Sequence, residues 1–321
     1  MCRKAPVDAK ADSIVLLWLK SALPVGNSGV ATMWSRWRSR WKSAAVLLVA
    51  SGAPSAILAA DSYGIRVEAG FRSDDNVTRA RSDDRLGDRS YSIDLNKSFL
   101  LPVSEHTRLA LTGFLGGEKF VSYTGLSHVY YGINGEFQYR TSGEFGAPTF
   151  GIFARASGDQ YESSLRDGSR YSFGASVRKP VTDRIELFSA LTRNVRHAKS
   201  SVFDNNDHAV RVNVDYALFR DSTLYFGGEY RRGDIVSTAR PAFNKLDEIA
   251  TAVVVDDVFT DTVRESYRVR ATSVLGTVGF NLPFGERHAL DISWRWVQST
   301  TSLNATRYFD NQVAVSYLGR F

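Results

Sequence analysis

The chain has 321 residues, 40 Lys/Arg against 34 Asp/Glu (formal net charge +6), 43% hydrophobic residues and a single cysteine, Cys2. Residues 1–60 hold eight of the basic residues but only Asp8 and Asp12 of the acidic ones, which leaves 32 of each from Asp61 onward. A balanced remainder removes the electrostatic case for nucleic-acid binding. A chain whose one cysteine lies at position 2 has no disulfide framework or thiolate chemistry beyond it, and no His/Cys cluster has zinc-site spacing.

Residues 33–60 read MWSRWRSRWKSAAVLLVASGAPSAILAA. Arg36, Arg38, Arg40 and Lys42 precede an apolar run that closes on small residues, the order of a secretory signal peptide. Cleavage is expected after Ala60, with Leu58 and Ala60 in the specificity positions, and export through the secretory translocon follows. Residues 1–32 lack such a pattern; they read as a mis-assigned start upstream of Met33, or as an extended leader. Residues 61–321 are expected to form one domain.

From Asp61 onward no run of 18 apolar residues and no helix-length period of 3.6 occurs, so a helical span is not expected. Segments of strand length alternate in polarity instead, separated by turn-forming residues. Twelve are expected: 62–73, 88–101, 107–120, 126–141, 148–160, 169–180, 184–198, 207–220, 223–236, 263–281, 288–301 and 307–321. The connections after the even-numbered segments are compact, as in PVSEH, PVTD and PFGER, whereas the others are longer and more polar, as in SDDNVTRARSDDRLG. Tight turns on one side and long loops on the other suit an antiparallel barrel with both termini on the turn side.

The two faces differ in chemistry. Segment 207–220 puts Val210, Val212, Val214 and Tyr216 on one face and Arg211, Asn213 and Asp215 on the other. Segment 288–301 does the same with Leu290, Ile292, Trp294 and Trp296 against Asp291, Ser293 and Arg295. A soluble barrel would have to bury the apolar face inside and a helix-free polar face outside, or else bury many ionised groups at several kcal/mol each. Apolar residues toward lipid and polar ones toward a lumen remove the conflict, and closure leaves no strand edge unpaired in lipid.

The closing segment, RYFDNQVAVSYLGRF, alternates Phe309, Val313, Val315 and Tyr317 with polar or small residues and ends on Phe321. In Val313, Val315, Tyr317 and Phe321 it resembles the terminal strand of Gram-negative outer-membrane β-barrels; Gly319 departs from the bulky residue usual there. The resemblance implies a transmembrane antiparallel up-and-down barrel and residence in the bacterial outer membrane, in contact with its bilayer and lipopolysaccharide. It also implies that this strand is the signal read by the barrel-assembly machinery.

The expected activity is that of a small passive, porin-like channel with a charged, mildly basic lumen. Arg268, Arg270 and Arg295 form the expected basic ladder, and Arg211, Asp215, Glu229, Asp291 and Glu136 further lumen positions. The same charges, paired across strands, would suit a non-conducting structural or surface-interaction barrel. A third reading is a lipid acyl hydrolase, for which Ser127–His128, or His197 with Ser200 and Ser201, would be the pairs to consider. No cofactor signature is present. Asp74, Asp75, Asp83 and Asp84 in the first outer loop read as a solvated acidic cluster that could attract divalent ions. The apolar stretch 247–257 reads as an extension of the strand hairpin above the membrane, with a lumen plug as the alternative.

Overall fold

A computed structural model describes residues 61–62, 64–219, 221–241, 246–301 and 307–321. The expectations for residues 1–32 and 33–60 lie outside the described residues.

Alternating polarity without helix formers becomes strand throughout. The chain runs β1 (Asp61–Ser62), β2 (Arg66–Asp74), β3 (Asp88–Pro102), β4 (Thr107–Phe120), β5 (His128–Arg140), β6 (Thr149–Tyr161) and β7 (Gly168–Pro180). It continues through β8 (Ile185–Ala198), β9 (Asn205–Ala217), β10 (Thr223–Ala239), β11 (Ala252–Val255), β12 (Glu265–Pro283), β13 (His288–Thr301) and β14 (Arg307–Arg320). Twelve of these correspond to the expected segments; β1 and β11 are short additions that pair with β3 and β12.

Each barrel strand pairs antiparallel with its neighbours in sequence, and β14 pairs with β2, from Gln312 opposite Asp74 to Arg320 opposite Arg66. That last ladder closes the sheet, so both edges disappear. Carried from strand to strand, the paired register returns to β2 displaced by 16 residues. For twelve strands about 4.7 Å apart, this stagger corresponds to a tilt of roughly 45° and a backbone diameter of about 25 Å.

The period of two sorts the side chains. Tyr91, Ile93 and Leu95 on β3, Ile133 on β5, Ile152 on β6, Phe173 on β7, Val212 on β9 and Trp294 on β13 are all exposed on the outer wall. Their sequence neighbours face inward. The longest strands are β10 and β12, at 17 and 19 residues, and their paired ladder continues past the end of β13's pairing with β12 at Ala271. A hairpin of these two strands therefore rises above the rim on the side of the long loops.

Candidate functional site: the lumen and its outer mouth

The inward face carries the ionised groups. Between β9 and β10, Glu229 accepts hydrogen bonds from Arg211 (2.7 Å) and Arg231 (2.5 Å). Arg231 also lies 3.7 Å from the buried carboxylate of Asp207. Arg295 faces inward from β13, within the electrostatic reach of Glu229, Arg231 and Arg211, and forms no ion pair among the described residues. On the other wall Arg72 pairs with Glu118, Arg170 bonds Asp159 at 2.5 Å, and the Tyr130 hydroxyl donates to Asp94. Arg155 lies over the Phe114 ring at 4.1 Å. Nearer the tight turns, Asp291 accepts from Tyr225 (2.9 Å), Glu136 from Ser176 (3.4 Å), and Asp215 stands opposite Glu186 and Tyr225 in the ladders.

These pairs do not fill the interior. Arg211, mid-strand on β9, points inward yet keeps 52% of its side chain exposed, which requires solvent space inside the wall. A packed core would have reduced that figure to near zero.

Six of the eight expected lumen residues, Arg295, Arg211, Asp215, Glu229, Asp291 and Glu136, lie on the inward face. Arg268 and Arg270 do not. They stand opposite Val236 and Asp234 and share the outward phase of Val274 and Val278 on β12. Both sit on the part of β12 beyond its pairing with β13, above the rim, where the outer surface meets water and arginine is tolerated there. Arg268 bonds the Ser201 carbonyl (2.8 Å) and Thr251 (3.0 Å), which ties the hairpin to the β8–β9 loop. The basic group of the lumen is Arg211, Arg231 and Arg295; the period of two alone turns Arg231 and Arg155 inward as well, and the structure adds their partners, Glu229 and the Phe114 ring.

Of the candidate Ser–His pairs, Ser127–His128 is turned to other partners. Ser127 Oγ accepts the Phe120 N–H (3.1 Å), while His128 Nδ1 bonds the Leu126 carbonyl (3.0 Å) and its ring stacks on Tyr161. On the closing strand, Val313, Val315 and Tyr317 share the outward phase, and the Tyr317 hydroxyl meets His288 Nδ1 at 2.8 Å.

The outer mouth is crossed by the β10–β12 connection. Ala252–Val255 extends the hairpin by pairing with Glu265–Arg268, as expected, but the chain beyond it does not stay in solvent. Asp256, fully buried, binds Arg166 of the β6–β7 loop at 2.5 Å and also accepts from Ser266 (2.6 Å). Asp257 accepts from Ser163 (2.5 Å), and Phe259 packs on Tyr123 of the β4–β5 loop with ring centroids 4.8 Å apart. Gly125 permits this approach, since a Cβ there would come 2.7 Å from Val258 Cγ2. In the closed strand order β12 and β5 are six strands apart in either direction, so the segment spans the mouth from wall to opposite wall.

The first outer loop joins this cover; Asp83 is solvated as expected, but Asp84 is not. Asp84 is buried and binds Arg240 (2.7 Å) and Arg264 (3.0 Å). Asn76, also buried, organises the loop by donating to the Ala80 and Phe309 carbonyls and accepting from the Ala80 N–H. Beneath the cover lies an apolar layer of Ile235, Leu246, Tyr267, Val269, Ala271, Leu275, Val297 and Tyr308.

A closed antiparallel barrel with an apolar outer wall and a polar, wet interior defines a transmembrane β-barrel, the fold of the Gram-negative outer membrane. No family model matches the chain, and no curated protein is significantly similar to it in sequence. Among solved structures, an outer membrane channel from Pseudomonas putida F1 aligns with a TM-score of 0.54 at 10% identity, covering 81% of this chain and 96% of that one. The KdgM porin in complex with disordered oligogalacturonate aligns with a TM-score of 0.40 at 12% identity, covering 80% of this chain and 99% of its own. At 10% identity the likeness to the Pseudomonas putida channel is one of fold.

Proposed function

We propose that the protein is a small passive channel of the bacterial outer membrane, modestly selective for anions and covered at its outer mouth by the β10–β12 connection. The observation that carries this reading is the group Arg211, Arg231 and Arg295, of which Arg211 is half exposed inside the wall and Arg295 has no ion-pair partner among the described residues. Fixed positive charge in a confined, low-dielectric passage raises the local concentration of anions above its bulk value. Carboxylates of Glu229 and Asp207 offset part of it, which keeps the preference modest. Export by the signal peptide, recognition of the Val313–Val315–Tyr317–Phe321 strand by the assembly machinery and contact with lipopolysaccharide belong to the same proposal.

A non-conducting barrel is the second reading, favoured by the buried Asp256–Arg166 and Asp84–Arg264 pairs that fasten the cover. Liposome swelling separates the two. Vesicles holding the refolded barrel should admit small anionic solutes faster than cationic ones of equal size, and faster still in an Arg166→Ala variant. Impermeability of wild type and variant alike would retire the channel in favour of the second reading.

A further inference from the structure

We propose that the outer rim binds one divalent cation, calcium by preference, between Asp74 and Asp75 at the end of β2 and Asp310 on β14. The barrel closes at this point: Asp74 stands opposite Gln312 in the last ladder, and Asp75 is hydrogen-bonded to Asn311. Closure thus brings three carboxylates from the two ends of the barrel together, with one oxygen of each lying within 4.8 Å of the others. Calcium takes oxygen ligands at about 2.3–2.6 Å, so oxygens on opposite sides of the ion stand at roughly that separation.

Proximity of acids alone would mean little. The second observation is Asp310, which is only 4% exposed and whose buried Oδ1 has no donor among the described residues, while its carboxyl stands within hydrogen-bond reach of the Asp74 carboxyl. An orphaned carboxylate oxygen in such a place is costly unless something positive or protonated meets it. The other contacts orient the acids without supplying charge. Gln312 Nε2 donates to Asp74 Oδ2 (3.0 Å) and Asp310 Oδ2 (2.9 Å), and the Asn76 N–H to Asp74 Oδ1 (2.8 Å). Asn311 donates to both oxygens of Asp75, from its backbone (2.7 Å) and its side chain (3.1 Å). Among the described residues the one ion pair of these acids is Arg85 with Asp75, long at 3.5 Å and exposed. Arg72 and Arg79 act on Asp74 electrostatically, and Arg79 on Asp310, but neither makes an ion pair with these acids among the described residues.

A cleft of about 400 Å³ lined by Ser73, Asp74, Asp75, Asp88, Arg89 and Ser122 reaches two of the three acids, Asp74 and Asp75. Magnesium demands a tighter octahedron and holds its waters, so a site supplying mainly carboxylates at this spacing suits calcium better. The ion would clasp the seam between the first and last barrel strands and steady the base of the loop that holds the cover.

Isothermal titration of the chelator-stripped, refolded full barrel with calcium chloride tests the site. One saturable site is expected, with a dissociation constant on the order of 10⁻⁴–10⁻³ M as in other extracellular calcium modules. Asp310→Asn, nearly isosteric, should weaken it at least about tenfold while heat-modifiable migration stays intact, and Asp83→Asn, an exposed acid of the same loop, should leave it unchanged. Calcium should also raise the unfolding temperature of the wild type but not of Asp310→Asn. No calcium heat in the wild type, or equal binding in Asp310→Asn, would overturn the proposal. So would an Asp310→Asn barrel that is more stable without calcium while the wild type ignores the ion, because two acids sharing a proton would then account for the pair.

Discussion

Ile152 on β6 faces lipid, and Arg155, three residues on, faces the lumen; the difference is one of phase in a period of two. Replacing Ile152 with Arg should therefore destabilise the vesicle-embedded barrel by about 2–4 kcal/mol, the cost of a cation on the lipid face near mid-bilayer. Denaturant unfolding of the folded, heat-modifiable form measures it, and a cost near zero would mean that the outer wall does not meet lipid at that level. This alternation was legible wherever bilayer lay outside and water inside, and there inward residues such as Glu229 and Asp291 were found by phase alone. It failed at Arg268 and Arg270 because the medium outside those residues is water. With no lipid to exclude charge, polarity no longer reports direction.

Along β12 the rule reverses within one strand. From Val274 to Leu282 the outward residues are apolar, whereas between Glu265 and Ala271 the buried inward residues are Tyr267 and Val269 and the outward ones are Arg268 and Arg270. The upper part has the polarity of a soluble protein and the lower part that of a membrane wall, so the bilayer surface crosses the strand near residues 271–274. Apolar residues in 247–257 told of a strand, and Ala252–Val255 is one. Their sequence could not tell of the cover, because its fastenings join residues far apart: Arg166 with Asp256, 90 positions on, and Asp84 with Arg264, 180 positions on. Arg166 retains 7% exposure against a fully buried Asp256, so Asp256→Ala leaves a buried cation with only the longer contact to Asp257 (3.7 Å), at a cost of up to about 3–5 kcal/mol. Loosening of the cover should follow, and limited trypsin digestion should then cut at Arg264, which is buried in the wild type. Equal resistance in both proteins would mean that the pair does not hold the segment down.

At the scale of the molecule, twelve strands and their stagger set a backbone diameter of about 25 Å, and side chains several ångströms long project from every wall. What remains is a narrow passage in which a few unneutralised charges matter, and which the cover closes from above. Strand number, closure and the separation of turns from loops all came through in the alternating segments and their connections. The inward phase of Arg211, Arg231 and Glu229 came through as well, but not their pairing: Arg231 joins Arg211 through a shared carboxylate, a contact set by register between β9 and β10.

Selectivity of the passage is the central claim, and the reversal potential across a planar bilayer under a salt gradient tests it most directly. It should be measured in the Arg166→Ala barrel, so that the cover does not limit the current. Anion preference is expected, strongest at low salt and fading toward ~1 M, where the screening length falls from ~10 Å at 0.1 M to about 3 Å. Replacing Arg211, Arg231 and Arg295 together with Gln should abolish or reverse it, since Glu229 and Asp207 then stand alone. A cation-selective potential in the barrel that keeps these arginines, or no conductance with the cover released, would contradict the account.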